Sequence, residues 1–495
     1  MNRTILLLLL FLCIFSNINS AHGRRSASFR PHRDLSIYHQ LSDEKLLPSS
    51  DQELISKIDY EWFTQSVDHF DSANQKKFQQ RYLVNDHFWD GKGPVFMMIN
   101  GEGPMSLGAV TGLQYVVWAK EVHALIVSLE HRYYGASFVT DNLATENLIY
   151  LTPQQALADN AVFRDFIANT YSVPQTSKWV SFGGSYSGCL SSWFRIKYPN
   201  LVDYAIASSA PVNPVIDFYQ YLEVVQNALL TTSNGQQCVD RIKQSTQKIQ
   251  DLLKQPNGLK TVSELFSLDP VLKTDDDISN FMQSLAGTFM GDTQYNLIEG
   301  PFKSVEALCL IMNNYSNDSL TNYIQIWNNA QKGELVDVSY QSMIQEYANI
   351  TNDDTNVGGR QWFFQTCTQF GYYQSSTSNN HPFGHLFEID FQIKQCTDIF
   401  GFAFLPNVNW TILEYGGLDP SASNIMYING DIDPWHALGI LDPKPASSSI
   451  QTLLIHGAAH TADMYIPRLF TPSTIAPAQK IIFKYLSDFL NNVNQ

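Results

Sequence analysis

From about residue 61 onward, short apolar runs bounded by glycine, proline or an acidic residue punctuate the chain. Val95–Ile99 runs into Asn100-Gly101-Glu102-Gly103-Pro104, Ala124–Leu129 into Glu130, and Trp179–Phe182 into Gly183; Tyr204–Ala207 has the same texture. Short runs without polar alternation predict strands buried on both faces. Helical stretches lie between them, at Pro153–Tyr171 and Cys189–Tyr198, the second stopped by Pro199. Alternating strand and helix predicts a parallel α/β sheet. From about Asn213 to Cys396 the strand pattern fades, and segments such as Asp240–Lys254 and Ile278–Met290 predict helices. The alternation returns with Ile425–Ile428, Thr452–Ile455 and a last helix at Ala478–Asn491. The economical reading is one α/β domain in two parts, 58–212 and 396–495, interrupted by a mainly helical insertion at 213–395. No internal repeat or low-complexity tract is visible.

The N-terminus has a different character. Met1-Asn2-Arg3 precedes an apolar run from Ile5 to Phe15 and a small residue at Ser20, which predicts a secretory signal peptide over 1–20. That run is about half of the roughly 20 residues needed to span a bilayer, and no later segment is longer, so no membrane anchor is expected. Residues 21–57 are polar and carry Arg24-Arg25, as a propeptide or loose arm would. Cys13 leaves with the signal, and the five remaining cysteines predict two disulfides and one free thiol in an oxidising compartment. Sequons at Asn314, Asn317, Asn349 and Asn409 fit glycosylation on the same route. A composition of 44% hydrophobic and 16% charged residues excludes a mostly disordered chain. A net charge of -16 repels phosphate backbones and excludes nucleic acid as a partner.

Candidate chemistry concentrates at Trp179-Val-Ser-Phe-Gly183-Gly184-Ser185-Tyr186-Ser187-Gly188. An apolar strand, a turn of small residues with serine at its apex and a following helix form the context of a nucleophile elbow. Serine is a weak nucleophile and requires a base oriented by a carboxylate, which α/β-hydrolases supply in the order Ser, acid, His. Downstream, Ile425–Ile428 ends in Asn429-Gly430-Asp431-Ile432-Asp433-Pro434-Trp435, and Leu453–Ile455 leads to His456-Gly457-Ala458-Ala459-His460-Thr461-Ala462-Asp463. Asp433 is preferred to Asp431 as the acid, and His460 to His456, which still belongs to the strand end. Asp463 either braces the His460 loop or is a turn residue. Gly101 and Glu102 are placed where one backbone N–H of an oxyanion hole belongs, with Tyr186 N–H as the other. The remaining histidines show no metal-ligand spacing; His381 and His385 are i and i+4, but Pro382 and Gly384 argue against a helix, so neither metal nor cofactor is expected.

Together these motifs resemble the serine carboxypeptidase family of lysosomal prolyl carboxypeptidase, dipeptidyl peptidase 2 and thymus-specific serine protease. The resemblance is carried by Leu129-Glu-His-Arg-Tyr-Tyr-Gly135, Gly183–Gly188 with Trp193-Phe-Arg-Ile-Lys-Tyr-Pro199, and Ala207-Ser-Ser-Ala-Pro211. Further on it is carried by Gln365-Thr-Cys-Thr-Gln-Phe-Gly371, Asn429–Trp435, and Gly457-Ala-Ala-His460 with Asp463. It runs from about Trp62 to Tyr485; Gln80–Asn85 and Asn429–His436 are most similar to the thymus-specific branch. Ser187 stands where relatives carry Gly or Ala, and Gln369 where they commonly carry Glu, near where a substrate terminus would be recognised.

The resemblance implies an α/β-hydrolase fold with a helical cap, Ser185 as nucleophile, Asp433 as acid and His460 as base. It also implies disulfides Cys238–Cys309 and Cys367–Cys396, which leaves Cys189 unpaired. Relatives cleave peptides after proline, from either chain end, so a peptide substrate and a secreted or lysosomal exopeptidase are expected. Trp362, Phe363, Phe364, Tyr372, Tyr373 and Trp435 are candidates to line a proline slot. An acidic working pH is expected with a lysosomal address. An esterase or lipase with the same triad, a catalytically silent binding protein, and a homodimer all stay open at this level.

Overall fold

A computed structural model describes residues 25–26, 57–298, 304–353, 358–402, 405–442 and 449–491. The expected signal peptide and nearly all of the 21–57 arm lie outside the described residues.

Eight strands build the central sheet: β1 (Glu61–Ser66), β2 (Lys77–Asn85), β3 (Val95–Ile99), β4 (Leu125–Leu129), β5 (Trp179–Gly184), β6 (Tyr204–Ser208), β7 (Ile425–Gly430) and β8 (Ile450–Ile455). Their spatial order is β1-β2-β4-β3-β5-β6-β7-β8. The pairs β1–β2 and β2–β4 are antiparallel, and every pair from β4 to β8 is parallel. This is the α/β-hydrolase fold, with β3 and β4 exchanged in space relative to sequence. The apolar runs are continuous because the sheet is covered on both sides. Val95, Met97 and Ile99 enter a core on one face, while Phe96 and Met98 enter a second core on the other.

Two helices flank the parts of the sheet that matter most. Helix α1 (Pro153–Thr170) starts with proline in its first turn and Thr152 Oγ accepting the Gln155 N–H. Helix α2 (Tyr186–Lys197) begins immediately after Ser185, three residues earlier than the sequence pattern predicts. Between β6 and β7 lie mainly helices, including α3 (Gln220–Leu230), α4 (Gly235–Leu253), α5 (Asp275–Gln294), α6 (Val305–Asn314) and α7 (Ser319–Gln331). They form a helical cap. A capping box of Thr274 and Asp277 starts α5. This region is not strand-free, since Val215–Asp217 pairs in parallel with Gly371–Tyr373. Cys238–Cys309 joins α4 to α6, and Cys367–Cys396 joins the turn Thr366–Phe370 to the helix Ile389–Phe400. Cys189 is buried without a disulfide, and burial pushes its thiol well above the usual range, which keeps it in the unreactive form. The asparagines of all four sequons are exposed. No helix among the described residues is long and apolar enough to cross a membrane.

Candidate active site

Ser185 closes β5 and opens α2 with φ 59° and ψ −131°, a backbone conformation that costs a non-glycine residue on the order of 1–3 kcal/mol. The surrounding packing enforces it. The Ser185 N–H donates to the Ser208 carbonyl at 2.9 Å, and its own carbonyl accepts the Cys189 N–H at 3.0 Å. Only glycine fits on either side: a Cβ on Gly183 would lie 2.0 Å from the Ser187 carbonyl oxygen, and one on Gly188 would lie 2.8 Å from that of Ser208. Ser187, the residue that departs from the usual pattern, acts as a brace. Its hydroxyl accepts the Gly184 N–H at 3.0 Å and donates to the Gly184 carbonyl at 2.7 Å.

Across the sheet, β7 and β8 deliver two aspartate–histidine pairs. Asp433 Oδ2 lies 2.8 Å from His460 Nδ1, with both residues at most 1% exposed. Asp433 Oδ1 also accepts the Trp435 backbone N–H at 3.0 Å. Asp431 and His456 pair with each other at 2.9 Å on the surface, where the His456 side chain is 81% exposed. Burial separates the two pairs: an ion pair in open water contributes little and is screened, whereas a buried carboxylate holds an imidazole firmly in one orientation.

The end of β6 links the serine to the histidine loop. Ser208 receives the Ser185 N–H, Ser208 Oγ donates to Asp463 Oδ2 at 2.6 Å, and Ser209 Oγ accepts the Thr461 N–H at 2.9 Å. Asp463 therefore braces the loop. Its carboxyl is pushed up to about 6, mainly by burial. On the other side, Asn100, Gly101, Glu102, Gly184, Ser185 and Ser187 line a common cavity. Burial pushes the Glu102 carboxyl up to about 7 against the opposing pull of His460, whose charge it feels.

The Leu129–Gly135 segment is the scaffold of this cavity. Glu130 Oε1 accepts the Met105 N–H at 2.9 Å and pairs with Arg81 at 2.5 Å, anchoring the far end of the Asn100–Pro104 loop. Asn100 Nδ2 anchors the near end on Ser128 Oγ at 2.6 Å and the Leu129 carbonyl at 2.8 Å. Arg132 grips Asp159 through two 2.6 Å contacts, and His69 adds a third at 2.7 Å. His131 Nδ1 faces the Arg132 carbonyl at 2.8 Å and so carries the proton, which leaves Nε2 to accept the Tyr186 O–H at 3.2 Å. Burial pulls His131 down to about 4, so it stays neutral at physiological and mildly acidic pH. Gln365 completes this floor, donating to Tyr186 Oη at 3.0 Å and accepting from Tyr134 at 2.6 Å.

A chain of rings runs from the serine to the histidine. Tyr186 packs on Trp362 at 5.3 Å, Trp362 stacks over Tyr372 at 6.5 Å, Tyr372 meets Trp435 edge-on at 5.4 Å, and Trp435 lies 6.3 Å from His460. Three of the expected lining residues, Trp362, Tyr372 and Trp435, are thus brought together. The others go elsewhere: Phe363 packs on Tyr347, Phe364 on Phe400, and the Tyr373 hydroxyl points at Cys396 Sγ. Adjacent residues face different directions, Trp362–Phe364 on a helix and Tyr372–Tyr373 on a strand, which apolar composition alone does not reveal. Gln369 donates its amide to the Leu151 carbonyl at 2.8 Å. Tyr186 as a ring and the cap residues Gln294 and Tyr295 beside His460 carry no sequence signal. His460 N–H donates to the Gln294 carbonyl at 2.8 Å, and the Tyr295 ring meets the His460 ring edge-on at 5.9 Å.

The family model of serine carboxypeptidase S28 matches residues 65–482. The chain belongs to the serine carboxypeptidase S28 family. It is a serine peptidase by that membership. The thymus-specific serine protease of Mus musculus is 32% identical, with 88% of each chain covered. The lysosomal Pro-X carboxypeptidase of Mus musculus is 29% identical, covering 90% of this chain and 93% of its own. Among solved structures, a proline iminopeptidase of Mycobacterium smegmatis covers 87% of this chain and 98% of its own at 10% identity, with a TM-score of 0.35. S28 membership and two disulfides are consistent with the secretory pathway.

Proposed function

We propose that this S28 peptidase is an exopeptidase that cleaves beside proline through a Ser185–His460–Asp433 triad and an acyl-enzyme. The observation that carries the reading is the buried 2.8 Å pairing of His460 Nδ1 with Asp433, set against a serine on a strained elbow. Asp433 accepts the Nδ1 proton and leaves the His460 Nε2 lone pair free to act as base. Ser185 Oγ loses its proton to Nε2 as it bonds to the scissile carbonyl carbon. The carbonyl oxygen becomes an oxyanion, received by the backbone N–H of Tyr186 and those of Gly101 and Glu102. His460 then gives the proton to the departing amine, the C–N bond breaks, and an ester on Ser185 remains. Water, deprotonated by the same imidazole, attacks the ester; the bond to Ser185 Oγ then breaks, the imidazole returns its proton to Oγ, and the acid is released.

The ring chain Tyr186–Trp362–Tyr372–Trp435 supports a proline slot, because flat apolar walls take up a pyrrolidine ring without demanding a hydrogen-bond donor it lacks. The helical cap, whose Gln294 and Tyr295 reach the His460 loop, supports action at chain ends. Burial holds Glu102 and Asp463 protonated in mild acid, and both ionise only as pH rises toward and through neutrality, which supports a lysosomal or acidic extracellular setting.

The test is mass spectrometry of products from short peptides with proline second from either end, with and without terminal blocking. Loss of one C-terminal residue, stopped by amidation, identifies a carboxypeptidase; release of an N-terminal dipeptide, stopped by acetylation, identifies a dipeptidyl peptidase. Cleavage of long-chain esters without peptide cleavage would overturn the proposal.

A further inference from the structure

We propose that Gln294, the last residue of cap helix α5, is a positioning residue that ties the loop of the base to the loop of the acid. The assignment rests on the triad reading above. Gln294 is 8% exposed and serves both loops at once. Its backbone carbonyl accepts the His460 N–H at 2.8 Å. Its side-chain Oε1 accepts the indole N–H of Trp435 at 3.0 Å and the hydroxyl of Tyr221 at 2.6 Å. An indole nitrogen can only donate, so the orientation of the amide is fixed, and Nε2 faces Tyr295 Oη at 2.9 Å. Trp435 in turn gives its backbone N–H to Asp433 Oδ1 at 3.0 Å.

The contacts close into a ring: Asp433 to Trp435, Trp435 to Gln294, Gln294 to His460, and His460 back to Asp433. Three of the four corners belong to the acid and base loops of the hydrolase sheet. The fourth comes from the cap. Tyr295, next in sequence, sets the edge of its ring against the His460 imidazole, so the same cap terminus holds both the backbone and the side chain of His460. Proton transfer tolerates misplacement of only a fraction of an ångström, and a group that fixes both partners acts on the rate without touching the substrate. The cap is therefore part of the catalytic geometry.

The test measures the rate of fluorophosphonate labelling of the full chain against pH, which reads serine–histidine competence without requiring the natural substrate. Gln294→Leu should slow the plateau rate tenfold or more and move the acid-side midpoint, because the loops that carry His460 and Asp433 lose the side chain that joins them. Gln294→Glu keeps the acceptor for Trp435 and Tyr221. It should restore the plateau to within threefold and move the midpoint upward. Trp435→Phe removes the indole N–H while keeping an aromatic ring and the backbone N–H to Asp433, and should reproduce part of the Gln294→Leu effect, which covers the case in which Gln294→Leu does not fold. Wild-type rate and midpoint in both Gln294→Leu and Trp435→Phe would overturn the assignment. So would equal slowing in the Leu and Glu variants with an unmoved midpoint, which would reduce Gln294 to structural support. Undiminished labelling of a Ser185→Ala control would instead overturn the triad reading itself.

Discussion

Asp463→Asn offers a sharp check on the electrostatics of the site. Asp463 is 5% exposed and accepts the Ser208 hydroxyl at 2.6 Å, while burial raises its carboxyl from an ordinary value near 3.8 to about 6. The folded state therefore holds this proton more tightly than the unfolded state does. Stability contributed by the protonated acid is fully present below about pH 4 and is lost as pH rises through about 6. A rise of about two pH units corresponds to roughly 3 kcal/mol of ionisation cost carried by the folded protein at neutral pH. Asparagine has nearly the same shape, still accepts from Ser208 and never ionises. The variant should match wild type near pH 4 and exceed it by up to roughly 3 kcal/mol at pH 7.5. Urea unfolding at pH 4, 6 and 7.5 in fixed salt, with disulfides intact, reads this as a growing separation of midpoints. Glu102 adds a second fall toward pH 7 in both proteins, since burial raises it as well, so the difference between variants is the informative quantity. A separation that does not depend on pH would refute the reasoning, because it would show that Asp463 ionises in the folded protein as readily as in water.

Two further outcomes are expected. Asp433→Asn should leave the fold intact and lower kcat on a proline peptide by about 10³–10⁴-fold, since an amide no longer fixes the imidazole tautomer; steady-state kinetics with a circular-dichroism control checks this. Replacing Cys238 and Cys309 together by serine opens a loop with a sequence separation of 71 residues, and chain entropy puts the loss near 4 kcal/mol, read as a lower urea midpoint.

Much of this architecture is readable in the chain, for identifiable reasons. Strands β3 and β5 announce themselves because both faces are covered, so Val95–Ile99 is an unbroken apolar run and Trp179–Phe182 is apolar but for the buried Ser181. The antiparallel pair β1 and β2 is silent because its inward positions include glutamines. Gln65 and Gln80 are buried and satisfied by each other and by the Glu130 carbonyl, which erases the apolar alternation expected of a half-buried strand. Helix α2 starts earlier than its composition suggests because Ser187 and Gly188, poor helix formers, are packed against Gly184 and the end of β6. The buried acid–histidine pair follows from loops at the ends of consecutive sheet strands, a placement that strand order makes legible. The Gln294 node follows no local pattern, since its partners Tyr221 and Trp435 lie 73 and 141 residues away. Only the folded cap brings them together.

The central claim is that Ser185 is the nucleophile. Its most direct test is fluorophosphonate labelling of purified wild type beside Ser185→Ala, followed by intact-mass measurement and peptide mapping. The expected result is a single adduct on Ser185 in wild type and none in the folded variant. An adduct on another residue, or a folded wild type that takes no label, would contradict it.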